Sequence, residues 1–234
     1  MTSTWWPTKE HWSVEIPIDT PHYRMPQLAE SGFVALTPAE FEVPEQEYLG
    51  LEYMDWKSGG DTNFAPLASA DGELDCRGFW DKGKTDKDAL WTSNADKAPT
   101  LRRYVDSIGA NFGRVRVIKL EPQDRDAAFP SFHRDDNNRF NPDHEGWVVR
   151  TWLELTDNPD SYMLLMDLDD EHLPIPSTER RVPLSRGARF VVDTQRLWHV
   201  VVHNGTTPRY ALITSLESSP NLRAWIDGQV PAVV

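Results

Sequence analysis

Cysteine is nearly absent. Cys76 stands alone among 234 residues, so no internal disulfide can form. A chain of this length buries a sizeable core without such staples, and the lone thiol fits a reducing compartment. Long apolar runs are also missing. None approaches the ~18 residues of a membrane helix. Residues 1–11 are polar and Trp-rich, without the charged start and apolar middle of a signal peptide. A cytoplasmic protein with no membrane partner is the expectation. Positive charge is scarce: 24 Lys and Arg face 37 Asp and Glu, for a formal net charge of −13. That balance argues against a nucleic-acid partner, which is bound by neutralising phosphates. Tryptophan, by contrast, is plentiful at ten residues. Most of these belong in a core or a pocket wall, because aromatic rings carry large apolar area.

The length suits one domain over 1–234. Residues 1–24 are broken by Pro7, Pro17 and Pro21, with a short edge strand expected over 12–16. A short helix is expected over 25–31 and a strand over 32–36. Thr37-Pro38-Ala39-Glu40 has the look of a helix start, with Pro at the first helical position. Residues 57–98, rich in Gly, Asp, Lys and Asn, are expected to form long loops and a candidate substrate lid. The strongest helix signal spans 98–112. Leu101, Tyr104, Val105 and Ile108 fall on one stripe, Thr100 is the expected N-cap, and Gly109 or Gly113 the stop. Seven strand-like runs follow, at 114–120, 146–156, 161–168, 180–183, 189–193, 197–202 and 209–216. Turn residues separate them, the pattern of a sandwich or barrel. A last short helix is expected over 219–228.

The chemistry concentrates in Phe132-His133-Arg134-Asp135-Asp136-Asn137-Asn138-Arg139. Residues i and i+2 of an extended chain point to one side, roughly 7 Å apart. A small bend lets His133 and Asp135 reach one metal ion. His199 lies far downstream in a strand-like run. Two imidazoles and a carboxylate on a β scaffold make the facial triad of a non-haem Fe(II) oxygenase. Each of the seven histidines, taken singly, is more often structural than ligating; the combination is what carries weight. His203 competes with His199. The two are four residues apart, roughly 13 Å along a strand, so only one can bind the ion. Asn204-Gly205 places His203 at a strand end, which favours His199. Asn137, Asn138 and Arg139 are either an ordinary polar turn or the mouth of the site.

His133-Arg134-Asp135, Trp198-His199 and Thr207-Pro208-Arg209-Tyr210-Ala211-Leu212 together resemble the Fe(II)/2-oxoglutarate-dependent dioxygenases. The likeness is greatest to the branch of the aspartyl/asparaginyl β-hydroxylases and proline hydroxylases. The match lies within 114–218, under half of the chain. It implies a mainly β, double-stranded β-helix (jelly-roll, cupin-like) core over 114–218 with a few flanking helices, supported by residues 1–113. It also implies Fe(II) on His133, Asp135 and His199, with 2-oxoglutarate and O2 as co-substrates. Arg209, ten residues after His199, would hold the far carboxylate of 2-oxoglutarate. Arg150 resembles a strand arginine used near the co-substrate's other end. The branch often has His two residues later, where this chain has Trp152. The expected reaction is hydroxylation of an unactivated C–H bond in a small molecule, an amino acid or a derivative. The alternatives are a hydroxylase of protein Asp, Asn or Pro side chains and a non-redox, cupin-like metal or ligand binder.

Overall fold

The computed structural model describes residues 25–55, 62–75, 78–141 and 146–230. Cys76, His11, His22, His144 and the strand expected over 12–16 lie outside the described residues. The N-terminal part contributes α1 (Pro26–Ala29), β1 (Phe33–Leu36), α2 (Gln46–Leu49), β2 (Met54–Asp55), β3 (Thr62–Ser69), α3 (Gly78–Asp81), β4 (Leu90–Trp91), α4 (Ser93–Lys97) and α5 (Pro99–Ile108). The remainder supplies β5 (Phe112–Leu120), α6 (Arg125–Ala128), β6 (Val148–Glu154), β7 (Tyr162–Met166), β8 (Arg180–Pro183), β9 (Arg189–Val192), β10 (Trp198–Val202), β11 (Arg209–Glu217) and α7 (Pro220–Asp227).

Two antiparallel sheets result. The larger runs β1-β9-β6-β11-β5-β3-β2, with β4 paired to β3; the smaller runs β10-β7-β8. Both faces of the large sheet are covered at its centre, so β9 and β6 are buried end to end and β11 nearly so. On the outer face Val115, Val117, Val149 and Leu153 pack under Leu101, Tyr104, Val105 and Ile108 of α5. That is the stripe the sequence displays. On the inner face Trp152, Phe190, Ala211 and Ile213 meet Met163 and Leu165 of the small sheet. A third cluster, with Phe132, Leu164, Met166 and Trp198, closes the far side of the small sheet.

Three local expectations are corrected. The described residues of 57–98, which are 62–75 and 78–98, are not one long loop: β3 is an eight-residue strand within the large sheet, and α3, β4 and α4 follow it. No helix begins at Thr37. Its carbonyl accepts two hydrogen bonds from the Arg189 guanidinium, at 2.8 and 2.6 Å, and that contact holds the chain extended. Thr100 is not the cap of α5 either. The helix starts at Pro99, and the Glu47 carboxylate caps it from outside, accepting from the Thr100 and Leu101 N–H groups at 2.8 and 3.3 Å. Gly109 stops the helix in the left-handed region, φ 68°.

Candidate metal centre

His133 and Asp135 lie in an extended segment that follows a tight 3-10 turn at Phe129–Ser131. The segment is laid against β10 by reciprocal backbone hydrogen bonds. His133 N–H donates to the His199 carbonyl at 3.2 Å, and His199 N–H donates back at 2.8 Å. Asp135 N–H donates to the Thr194 carbonyl at 2.9 Å. The two imidazoles therefore face each other, ring centres 4.4 Å apart. Asp135 sits between them, 3.7 Å from His133 Nε2 and 3.8 Å from His199 Nε2. One donor atom from each of the three lies within 4.8 Å of the others.

The donor set fits a metal ion. His133 Nδ1 lies 2.6 Å from the Ser131 carbonyl, and His199 Nδ1 lies 3.2 Å from the Leu197 carbonyl. A carbonyl only accepts, so each Nδ1 carries the proton and each Nε2 offers its lone pair inward. Burial, and then the neighbouring His133 ring, bring His199 down to about 3; it is neutral, as a ligand must be. Burial pushes the Asp135 carboxyl up, yet the Arg150 guanidinium and the two histidines hold it well below the usual carboxylate range. Two neutral nitrogens and one carboxylate thus converge on one point.

Behind Asp135 runs a buried chain of alternating charge. Arg150 Nη1 is 2.8 Å from Asp135 Oδ2, and its Nη2 donates to Asn137 Oδ1 at 2.8 Å. Nη2 also lies 3.9 Å from Asp86. Asp86 is fully buried and accepts from the Arg114 N–H at 2.6 Å, Arg114 Nε at 2.9 Å and Ser215 Oγ at 2.9 Å. Burial disfavours the Asp86 carboxylate, but Arg114 and Arg150 overcome it and hold the carboxyl below its ordinary value. Gly113 makes this docking possible. A Cβ there would overlap the Asp86 backbone and side chain.

The centre opens into a cavity of about 680 Å³, lined by Phe64, Ile118, Trp152, Met163 and Ile213 among others. Arg114, Arg116, Arg134, Arg150 and Arg209 line it too. Trp152 stacks on Phe190, ring centres 5.5 Å apart, and turns its edge to His199. Arg209 is fully enclosed, and Glu154 takes two of its nitrogens, at 2.9 and 2.5 Å. Its Nη1 has no hydrogen-bond partner among the described residues. His203 lies apart from the cluster, one nitrogen 2.9 Å from Ser161 Oγ and the other 2.7 Å from the Thr207 carbonyl. Asn137, Asn138 and Arg139 do not line the cavity. The two asparagines are buried brackets to Thr194, Gln195 and Val148, and Arg139 pairs with Asp136 at 2.6 Å.

Sequence reasoning missed Asp86, Arg114, Arg116 and Glu154. Arg114-Val115-Arg116-Val117 does alternate, but alternation says nothing about which face is wet. Here the valines pack under a helix and the arginines face the cavity. Asp86 carried no signal beyond one acid in a polar stretch.

No protein-family profile matches the sequence, and no curated protein matches it. Solved structures do resemble it. One is an oxidoreductase of the 2OG-Fe(II) oxygenase family from Burkholderia pseudomallei, 13% identical, with a TM-score of 0.51 over 82% of this chain and 87% of that one. Another is a prolyl hydroxylase from Trichoplax adhaerens in complex with a peptide fragment of hypoxia inducible factor, 14% identical, with a TM-score of 0.51 over 86% and 90%. The chain shares with these proteins the double-stranded β-helix fold.

Proposed function

We propose that this chain is an Fe(II)- and 2-oxoglutarate-dependent dioxygenase that hydroxylates an unactivated C–H bond of a small molecule, an amino acid or a derivative of one. The observation that carries the reading is the pair of imidazoles, His133 and His199, both presenting Nε2 to ionised Asp135. Such a set suits Fe(II) and leaves three positions for co-substrate and O2. Fe(II) held there would, with 2-oxoglutarate and O2, supply the oxidant for C–H cleavage, 2-oxoglutarate leaving as succinate and CO2.

The chain's own residues position and shield. Asp135, His133 and His199 hold the ion. Arg150 fixes Asp135. Arg209 Nη1, on the cavity wall, is the candidate donor to the far carboxylate of 2-oxoglutarate; Glu154 already claims the rest of that guanidinium. Trp152, packed on Phe190 and edge-on to His199, excludes water beside the ion. A cavity of about 680 Å³ is of the size that takes small molecules, which supports a small substrate over a protein side chain.

Anaerobic titration of metal-free protein with Fe(II), then 2-oxoglutarate, tests this through the visible charge-transfer band of the chelate. The band is expected in the wild type and in H203A, and is expected to vanish in D135A and H199A. A wild type that forms no band is a β-scaffold metal or ligand binder and not this enzyme.

A further inference from the structure

The cavity wall carries charges of both signs, five arginines together with Asp81, Asp135 and Asp136. What an anion meets there is set rung by rung. Residues paired across a sheet share a face, and so do residues two apart in a strand. The register gives three successive rungs of the inner face. The first is Thr62, Leu120 and Arg209; the second is Phe64, Ile118, Ala211 and Glu154; the third holds Arg116, Ile213 and Trp152. Arg209 is the charged member of the first rung. Glu154, opposite Ala211, is its diagonal neighbour.

Both side chains of this pair are wholly enclosed. Arg209 Nε donates to Glu154 Oε2 at 2.9 Å, and Nη2 donates to Oε1 at 2.5 Å. Both carboxylate oxygens accept, which is the fork geometry of an ionised pair. Burial, opposed by Arg209, leaves the Glu154 carboxyl above its ordinary value; the guanidinium is still by far the stronger base and keeps its proton. As a unit the pair is neutral. One donor, Nη1, has no partner among the described residues. A carboxylate arriving there gains a hydrogen bond, but the positive charge is already balanced and Glu154 repels it. A neutral carbonyl gains the same hydrogen bond without the repulsion.

We infer that Glu154 is a specificity-determining residue: it neutralises Arg209, so that the co-substrate site takes 2-oxo acids with a neutral hydrogen-bond acceptor at the far end as readily as 2-oxoglutarate. The inference rests on the oxygenase reading above and names the class of 2-oxo acid that the same site accepts. The probes are 2-oxoglutarate, 2,5-dioxohexanoate and 2-oxohexanoate. They share the keto-acid end and carry at the far end a carboxylate, a methyl ketone and a plain alkyl group. Each is titrated into anaerobic wild-type protein loaded with Fe(II), and the chelate band reads its affinity. The first two are expected to agree within roughly five-fold, and 2-oxohexanoate to bind at least roughly ten-fold more weakly, because it leaves the buried Nη1 unpaired. In E154Q, 2-oxoglutarate is expected to gain at least roughly ten-fold over 2,5-dioxohexanoate. A wild-type preference for 2-oxoglutarate beyond the five-fold range puts unbalanced positive charge at its far carboxylate and overturns the assignment. So does a wild type that binds 2-oxohexanoate as tightly as 2,5-dioxohexanoate, since the far end then does not meet Nη1. An unchanged ratio in E154Q overturns it as well; should E154Q not fold, the three wild-type affinities decide alone. Failure of the oxygenase reading shows separately, as a wild type that forms no band with any of the three.

Discussion

At the scale of single residues, the metal ligands depend on groups that never touch the ion. Asp86 balances Arg150 and Arg114, and Arg150 in turn steadies Asp135. In D86N the arginines keep their charge and lose its counterweight. Metal affinity is expected to fall roughly 10- to 100-fold, read by competition titration with a chelating dye, and D86E is expected to recover only part because Gly113 leaves no slack. Glu154 makes a different prediction. Breaking a fully buried ion pair by removing one partner costs about 3–5 kcal/mol, so E154Q is expected to denature at lower urea. It also frees Arg209 for the co-substrate. Saturating 2-oxoglutarate with the metal should then restore more stability to E154Q than it adds to the wild type; an equal gain in both would mean that Arg209 does not meet the co-substrate. The sequence made His133, Asp135 and His199 visible because ligand chemistry restricts the residue types. It hid Asp86 and Glu154 because a counter-charge needs only an acid somewhere within reach.

At the scale of elements, legibility followed amphipathicity. α5 and the strands after it announce themselves through regular stripes and alternation. β3 does not, since Thr62-Asn63-Phe64-Ala65-Pro66-Leu67-Ala68-Ser69 carries small residues and a proline. Proline removes a ladder donor, and the pairing of β3 with β5 shifts register between Pro66 and Ala68. The strand exists because β5 offers it an edge, which no local pattern encodes. The start of α5 escapes a local pattern for a related reason: its cap, Glu47, lies more than fifty residues upstream. E47A is expected to lower stability by about 1 kcal/mol, measured by urea denaturation. The metal affinity should not change, since α5 packs on the outer face of the large sheet.

For the whole molecule, the long-range and local fields oppose each other. The chain is strongly acidic, while five arginines outnumber three aspartates, Asp81, Asp135 and Asp136, on the wall of its cavity. Net charge acts over the Debye length, about 30 Å at 0.01 M salt and about 8 Å at 0.15 M. The buried arginines act at contact and are screened far less. Added salt should therefore weaken the repulsion of an approaching dianion more than its final grip. The association rate of 2-oxoglutarate, followed by stopped-flow growth of the chelate band, is expected to rise about two-fold between those salt concentrations. A fall would mean that the cavity's field dominates even at a distance.

The two histidines share one rung of backbone hydrogen bonding, His133 N–H to the His199 carbonyl and the reverse. Each amide proton can reach deuterated water only when that rung opens. An ion bridging the two rings would clamp it from the side-chain end. The pair thus forms a built-in gauge: two exchange rates at sequence positions far apart that should slow together when metal binds, and by the same factor.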